Sequence, residues 1–278
     1  MADVHEIYPS APLALVAVEV RFPQAPAETP LPASVQRSFR DILGDDWVME
    51  QQKVQQAEVS FAPGAPAVQT VRETVVPRFT VRDRTWAVAL AEASLTVETT
   101  AYRHYPAFRA VLERAFQAAG QLLQPDGISR VGMRYIDEVR VPGMDADDLA
   151  AWRDWLPASL FPPAIDDGPA GRLDPAAWQG TVRYATGPER SLVLRYLTHQ
   201  GYAVEPRGTL SRPALPPPGP LFVLDFDSFW EPSDIPVFDP VDLLRECDAL
   251  RAPVRAAFDS VVSDRLRDEV FRRGPIHG

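Results

Sequence analysis

The sequence predicts an α+β fold, in which a mainly antiparallel sheet packs against two or three long helices. Alternation of apolar and polar residues dominates the chain, whereas helical spacing is confined to a few segments. In most predicted strands the alternation indicates one buried and one exposed face, which is typical of antiparallel sheets covered on one face by helices. The order of elements suggests two related lobes that share a sheet, formed by residues 1–142 and 143–278, with one continuous domain as the alternative.

The first half of the chain opens with a strand and a helix. Residues 14–22 alternate between apolar and polar side chains, as in a half-buried strand. Residues 32–43 then place apolar side chains at helical spacing, and Gly44 follows as the C-terminal stop. Three or four strands between residues 57 and 99 complete an antiparallel meander.

The second helix is the most regular pattern in the sequence. Apolar residues between positions 108 and 122 form one stripe, and Pro106 stands in the first turn, where its missing N–H has no cost. A long strand is expected from about 128 to 141. The next segment, 142–180, is rich in Pro, Asp and Gly, so we expect only one short helix there, at 146–156.

The C-terminal part of the chain is predicted to contain three strands and a helical tail. The strands are expected at 181–186, 191–199 and 221–229, with a long proline-rich loop before the last of them. Helical spacing continues over residues 240–271. Because Pro253 lies within this segment, we expect a kink or two abutting helices at that position.

Composition and charge restrict the compartment and the partners. The net charge is −10 and the pI is 4.9, so nucleic acid is not an expected partner, because phosphate binding needs clustered cations. Cys247 is the only cysteine, which suits a reducing compartment. Asp3 and Glu6 stand where a signal peptide would carry basic residues, and no apolar run is long enough to cross a membrane. We therefore predict a cytoplasmic location without membrane attachment.

The most suggestive polar motif is the pair Asp225 and Asp227 in the final strand. Because they are two residues apart, their carboxylates lie on one face of the sheet, about 7 Å apart. Nearby cations are needed to keep two such carboxylates charged, and other strands offer arginines. The predicted patch consists of Arg130, Arg134, Arg195, Asp225 and Asp227. Two interpretations stay open: a structural ion-pair network, and a surface that binds a ligand or a partner.

No catalytic or cofactor signature accompanies this patch. The strand ending in Asp-x-Asp resembles the nucleophile motif of haloacid-dehalogenase phosphatases, but that chemistry needs a downstream lysine, and Lys53 is the only lysine. None of the histidines has metal-ligand spacing, so no metal site is expected. We expect His104 to cap or pack at the start of a helix, and Cys247 to be a buried, inert thiol. P-loop, dinucleotide-binding and nucleophile-elbow motifs are missing from the sequence, so no cofactor is expected.

Several blocks resemble a sporadically distributed family of uncharacterised bacterial proteins. They span most of the chain and comprise Tyr8 to Leu13, Glu19 to Phe22, Thr99 to Tyr102, Arg130 to Asp137, Leu224 to Asp227, and Phe258 with Asp264 and Leu266. The Arg-x-Gly-x-Arg-Tyr-Ile-Asp block is the most specific of them. The resemblance implies no activity, although the patchy distribution implies a role in defence, conflict or specialised metabolism. It also implies a histidine after Leu250, where this sequence has Arg251.

These observations favour a non-catalytic binding or accessory protein that engages another protein. The absence of a nucleophile or metal motif, the acidic composition and the long proline-rich loops all support this expectation. The alternative is a small-ligand-binding protein or an enzyme that uses the predicted arginine and aspartate patch.

Overall fold

The computed structural model describes residues 8–23, 31–60, 68–91, 93–145, 148–163, 165–166, 172–173, 175–206 and 208–272, with side chains for all of these except 53–60, 68–74, 166, 172 and 173. Within these ranges, a nine-stranded antiparallel sheet forms one layer, and helices pack on one of its faces. The α+β class and the mainly antiparallel sheet predicted from the sequence are therefore confirmed.

The strands of the large sheet are β1 Leu13–Arg21, β2 Trp47–Ser60, β3 Val68–Val81, β4 Trp86–Ala91, β5 Ser94–Thr99, β6 Arg130–Val139, β9 Gln179–Gly187, β10 Arg190–Gly201 and β11 Gly219–Trp230. They lie in the order β2-β3-β4-β5-β1-β6-β11-β10-β9. Two further strands of two residues each, β7 (Ile165–Asp166) and β8 (Arg172–Leu173), pair separately. The centre of the sheet is the antiparallel pair β1 and β6, to which β11 adds on the far side of β6.

Three helices, α1 (Ala33–Leu43), α2 (Tyr105–Leu122) and α3 (Pro240–Val261), pack side by side on the sheet. Shorter helical turns occur at Leu149–Asp154 and Ala158–Leu160, and α4 (Asp264–Leu266) leads into a π-helical turn over Arg267–Phe271. Few of the helices are therefore long.

Alternation in β1 places its apolar side chains under the helices, as the sequence predicts. Val16, Val18 and Val20 are fully buried, and they join α2 residues such as Phe108 and Phe116 in one core. Burying each such side chain stabilises the fold by roughly 1.5–3 kcal/mol. The polar alternate residues face away from the helices, so β1 fixes which face of the sheet is covered.

Two boundaries differ from the sequence prediction. Strand β2 begins at Trp47, well before residue 57, because pairing with β3 extends through a Gln-rich stretch that has no apolar alternation. One helix, α3, runs through Pro253 to Val261, so two abutting helices at that position are wrong, and a kink there stays a prediction. A proline removes only one backbone hydrogen bond, and the buried stripe of α3 continues past it, which keeps the helix in one piece.

The sheet face opposite the helices is partly covered by the loop that joins β10 to β11. Ile136, Leu221 and Val223 form a small apolar cluster there, and Ala203 and Val204 of the loop pack against it. Further along this loop, the backbone N–H of Ser211 donates to the carbonyl of Arg84 at 2.8 Å.

Within the described residues, no helix is both long and apolar enough to cross a membrane.

Candidate functional site

The five residues of the predicted patch lie together on the sheet face away from the helices. The register of β10, β11 and β6 places Arg195 opposite Asp225 and Arg134 opposite Asp227. The Arg134 guanidinium reaches diagonally to Asp225 and donates two hydrogen bonds of 2.8 Å, one to each carboxylate oxygen. Arg195 donates a longer one of 3.4 Å to the same carboxylate. These contacts raise the pKa of Arg134, chiefly through its hydrogen bond to Asp225.

Arg130 connects the second aspartate to strand β1. Its guanidinium donates to Asp227 at 3.3 Å and to Glu19 at 3.2 Å, and it lies over the ring of Phe229 at 4.8 Å. This path crosses Gly132, where an added Cβ would lie 2.3 Å from Nη1 of Arg130. The glycine therefore provides the space in which the guanidinium lies.

The patch residues satisfy one another. Each aspartate already accepts from an arginine, and the Asp225 side chain is only 8% exposed. A ligand would have to displace these contacts at a cost comparable with breaking a charge-assisted hydrogen bond. The geometry supports the structural interpretation better than the binding one, and binding at this patch stays a prediction.

A second candidate site is a cleft of about 1790 Å³, which the sequence analysis did not predict. Its walls come from six segments far apart in the sequence. They are residues 8–13, 102–106, 135–144, 212–220, 251–259 and 267–271, with Thr100 and Phe226 between them. The hydrogen bond from the Ser10 N–H to the Phe271 carbonyl, 3.1 Å long, ties the first of these segments to the last. Many of the lining residues are prolines, which limit the flexibility of the walls.

The cleft is rich in positive charge although the protein is acidic. The lining contains six arginines, Arg103, Arg140, Arg212, Arg251, Arg255 and Arg267, and four acidic residues, Asp137, Glu138, Asp259 and Glu269. Glu138 pairs with Arg140 and Arg212, and Asp259 pairs with Arg255 and Arg267. Arg103 and Arg251 form no ion pair with any residue that the structure describes, so they leave the cleft with a surplus of positive charge.

Arg251 is held in place by an aromatic side chain. Its guanidinium lies 4.6 Å from the centre of the Tyr105 ring, within the range of a cation–π contact. The Tyr105 hydroxyl donates to Asp248 at 2.8 Å, which fixes the ring. Burial and this hydrogen bond raise the pKa of Tyr105, so the phenol is neutral at any physiological pH.

Two more tyrosines lie beside Arg251. The rings of Tyr102 and Tyr135 meet edge to face at 6.1 Å. Burial raises the pKa of Tyr102, and the nearby Arg251 charge partly opposes that rise. The Tyr135 hydroxyl is buried and, although Tyr102 is close, has no partner of good hydrogen-bond geometry within the described residues. A buried hydroxyl without a partner costs about 1–3 kcal/mol, so this corner of the cleft is incompletely satisfied.

Asp137 lies two residues beyond Tyr135 and on the same face of β6. It lines the cleft, is 4% exposed, and forms no ion pair with the described residues. Burial, with a smaller contribution from the charge of Asp225, raises the pKa of Asp137 to about 8. At neutral pH the side chain is therefore protonated, and it does not reduce the positive charge of the cleft.

The other residues considered from the sequence have structural roles. The Nδ1 atom of His104 accepts from the Ala107 N–H at 3.2 Å and caps α2, which confirms that prediction. Cys247 is buried, and burial raises the pKa of its thiol, which keeps it protonated. Within the described residues, no three His, Cys, Asp or Glu side chains gather as metal ligands would.

Sequence reasoning missed the cleft because its residues come from separate elements. One signal was available: alternation along β6 puts Tyr135 and Asp137 on the face of Val131 and Met133, opposite Arg130 and Arg134. An aspartate on an apolar face without a cation beside it in the sequence suggests an unusual environment.

The structure defines an α+β protein built on one wide antiparallel sheet, with the cleft as its largest described concave feature among the sites considered above. Comparison of the chain with protein-family models and with curated protein sequences gives no match. The resemblance to the sporadically distributed bacterial family, and the role in defence, conflict or specialised metabolism that it implies, stay predictions.

Proposed function

We propose that this protein is a non-catalytic binding protein whose cleft holds an extended acidic segment of a partner protein. The observation that carries the proposal is the cationic cleft in a chain of net charge −10. Local charge of the opposite sign to the whole molecule is what selects an acidic partner over a basic one.

The size of the cleft supports a segment of polypeptide. Pockets for small molecules typically enclose about 300–1,000 Å³. The cleft is larger, at about 1790 Å³, and its walls include both residues 8–13 and the proline-rich loop at 212–220. Rigid proline-lined walls also lower the entropy that would be lost on binding.

Catalysis is the weaker proposal for this cleft. The tyrosines Tyr102, Tyr105 and Tyr135 all have raised pKa values, mainly because of burial, which makes them poor nucleophiles and poor general bases. Arginine stays protonated and serves to bind and to orient. The tyrosines and arginines of the cleft therefore suit recognition.

The direct test compares two fluorescein-labelled octapeptides by fluorescence anisotropy, one of alternating Glu and Tyr and one of alternating Lys and Tyr. We expect the Glu peptide to bind more tightly, despite the net negative charge of the protein, and the affinity to fall as salt is added. Tighter binding of the Lys peptide would contradict the proposal, because general attraction to an acidic protein favours lysine.

Two charge reversals locate the binding surface. Arg103 is exposed in the cleft lining, and Arg37 is exposed on α1 outside it. We expect Arg103→Glu to weaken binding of the Glu peptide by about tenfold or more, which corresponds to about 1.4 kcal/mol. Arg37→Glu makes the same change in net charge and should alter binding less than about twofold. Equal effects of the two variants would place binding outside the cleft.

A further inference from the structure

Arg251 has the features of a preorganised anion-binding side chain. Its guanidinium stacks on Tyr105 at 4.6 Å, and Tyr105 is fixed by Asp248, which itself accepts from Arg109 at 3.1 Å. Stacking sets the plane of the guanidinium and leaves its N–H donors at the edges, where the Tyr102 hydroxyl lies within hydrogen-bonding reach. No carboxylate among the described residues takes those donors, so the charge is available to a ligand in the cleft.

The tyrosine pair next to Arg251 offers a chain of hydroxyl donors. The Tyr135 hydroxyl is buried and without a partner of good geometry, and Tyr102 lies between it and the Arg251 side chain. If the Tyr102 hydroxyl donates to a ligand oxygen, its own oxygen is left to accept from Tyr135. A ligand with an acceptor at this position would therefore satisfy both hydroxyls at once.

We propose that Arg251 and Tyr102 bind a carboxylate group carried on an apolar body. The inference rests on the proposed function, since the carboxylate would belong to the bound segment, at an acidic side chain or at a chain end. Val254 and the partly exposed Phe258 line the same cleft and provide apolar surface for the rest of the ligand. A guanidinium edge binds a carboxylate with two parallel hydrogen bonds, which gives the contact its specificity.

The charges around Arg251 favour a carboxylate over a phosphate. The neighbouring Arg255 and Arg267 are already paired with Asp259, so Arg251 is the one of these three arginines without an ion pair to a described residue. One positive charge and neutral hydroxyls balance a single negative charge, whereas a phosphate monoester carries about −1.5 to −2 at neutral pH. A binding preference for inorganic phosphate would overturn the assignment.

The small-molecule test uses 3-phenylpropionate and its amide, 3-phenylpropionamide, observed by ligand-detected NMR. We expect the acid to bind and the amide to bind at least about tenfold more weakly. Arg251→Met should weaken binding of the acid by about tenfold, Arg251→Lys and Tyr102→Phe by severalfold, and Arg37→Met by less than about twofold. Near-ultraviolet circular dichroism shows that each variant is folded. Equal binding of acid and amide, or an unchanged affinity in folded Arg251→Met, overturns the proposal.

A second experiment distinguishes a carboxylate at the chain end from one on a side chain. It also tests the carboxylate site and the proposed function independently of each other. The alternating Glu and Tyr octapeptide is prepared with a free and with an amidated C-terminus. If amidation lowers the affinity for the natural protein but not for Arg251→Met, the bound carboxylate is that of the chain end. If Arg251→Met lowers the affinity and amidation has no effect, the bound carboxylate is that of a side chain. If the peptides bind and Arg251→Met leaves their affinity unchanged, the proposed carboxylate site is wrong and the proposed function is retained. If 3-phenylpropionate binds through Arg251 and no peptide does, the site is right and belongs to a free carboxylic acid.

Discussion

Arg134 and Asp225 form the most completely bonded pair in the predicted patch, but their exposures differ. The Asp225 side chain is 8% exposed, whereas that of Arg134 is 49% exposed. Among the described residues, removing Arg134 leaves the buried carboxylate with only the 3.4 Å contact from Arg195, whereas removing Arg195 leaves the two 2.8 Å contacts intact. The free energy of unfolding should therefore depend on these two arginines unequally.

We expect Arg134→Ala to lower the free energy of unfolding by about 1–2 kcal/mol, a value reduced for solvent screening at this half-exposed side chain. The matched variant Arg195→Ala should lower it by less than about 0.5 kcal/mol. Urea unfolding followed by tryptophan fluorescence measures both. Similar losses in the two variants would show that the hydrogen-bond geometry at Asp225 does not determine its stability.

Asp137 should make the stability of the protein depend on pH. The native state retains a proton at Asp137 up to about pH 8, whereas the unfolded chain releases it near the ordinary value of 3.8. Between these values unfolding releases a proton, so the free energy of unfolding falls as pH rises, by up to about 1.4 kcal/mol per pH unit from this group. Above about pH 8 the Asp137 carboxyl is ionised in both the native and the unfolded state, so this group no longer makes the free energy of unfolding depend on pH.

The variant Asp137→Asn removes that titration and keeps the shape of the side chain. Asp225 is the charged group that acts on Asp137, through the sheet, and it is unchanged in the variant. We expect Asp137→Asn to be more stable than the natural protein at pH 8 and the difference to shrink as pH falls toward 4. Urea unfolding at four pH values tests this expectation. Parallel stability curves would show that Asp137 is ionised in the native state.

At the scale of elements, Glu138 holds the loop between β10 and β11 against the sheet. Its side chain is 1% exposed and accepts from the N–H groups of Ala203 and Val204 at 2.8 and 3.0 Å, and from Arg140 and Arg212. Burial acts to raise the pKa of Glu138, but these donors outweigh it and lower the pKa, so the carboxylate stays charged. One buried carboxylate therefore fixes the position of a loop that also lines the cleft.

Glu138→Gln should loosen that loop. The neutral amide leaves two buried arginines without a countercharge and offers one acceptor oxygen where there were two, which we expect to cost about 2–4 kcal/mol. Hydrogen exchange should speed up at the amides of Ala203 and Val204 by much more than at Leu194 in β10. Unchanged exchange at the two loop amides would mean that apolar packing alone holds the loop.

Sequence patterns predicted elements better than the contacts between them. Period-two alternation fixed the faces of β1 and β11, because a strand that buries one face admits a single arrangement. The sequence did not predict the start of β2 at Trp47. Its polar stretch is a strand because it pairs with β3, and no alternation of apolar residues marks it. The sequence did not predict the cleft, because Arg251 of α3 comes close to Tyr102 only when the helices pack on the sheet. No local spacing of residues indicates that long-range contact.

At the scale of the whole molecule, the order of strands repeats on either side of the central pair. From β1 outward the neighbours are β5, β4, β3 and β2, and from β6 outward they are β11, β10 and β9, so the first side has one strand more. A long helix follows each set in the sequence, α2 after β5 and α3 after β11. In this arrangement β6, Arg130–Val139, begins the second set, whereas the predicted boundary after residue 142 assigns it to the first lobe. The division into two related lobes stays a prediction.

The two halves should nevertheless unfold together. Strands β6 and β11 pair from Val131 with Trp230 to Val139 with Phe222, and one apolar core contains side chains from both halves. Separating the halves would expose that core, so no partly unfolded state should be populated at equilibrium. We expect one calorimetric transition, and native-state hydrogen exchange at Val18 in β1 and Leu194 in β10 with the same free energy of opening, within about 0.5 kcal/mol. Two transitions, or a lower free energy of opening by more than about 2 kcal/mol across β9 to β11, would instead show that residues 143–278 form a separate domain.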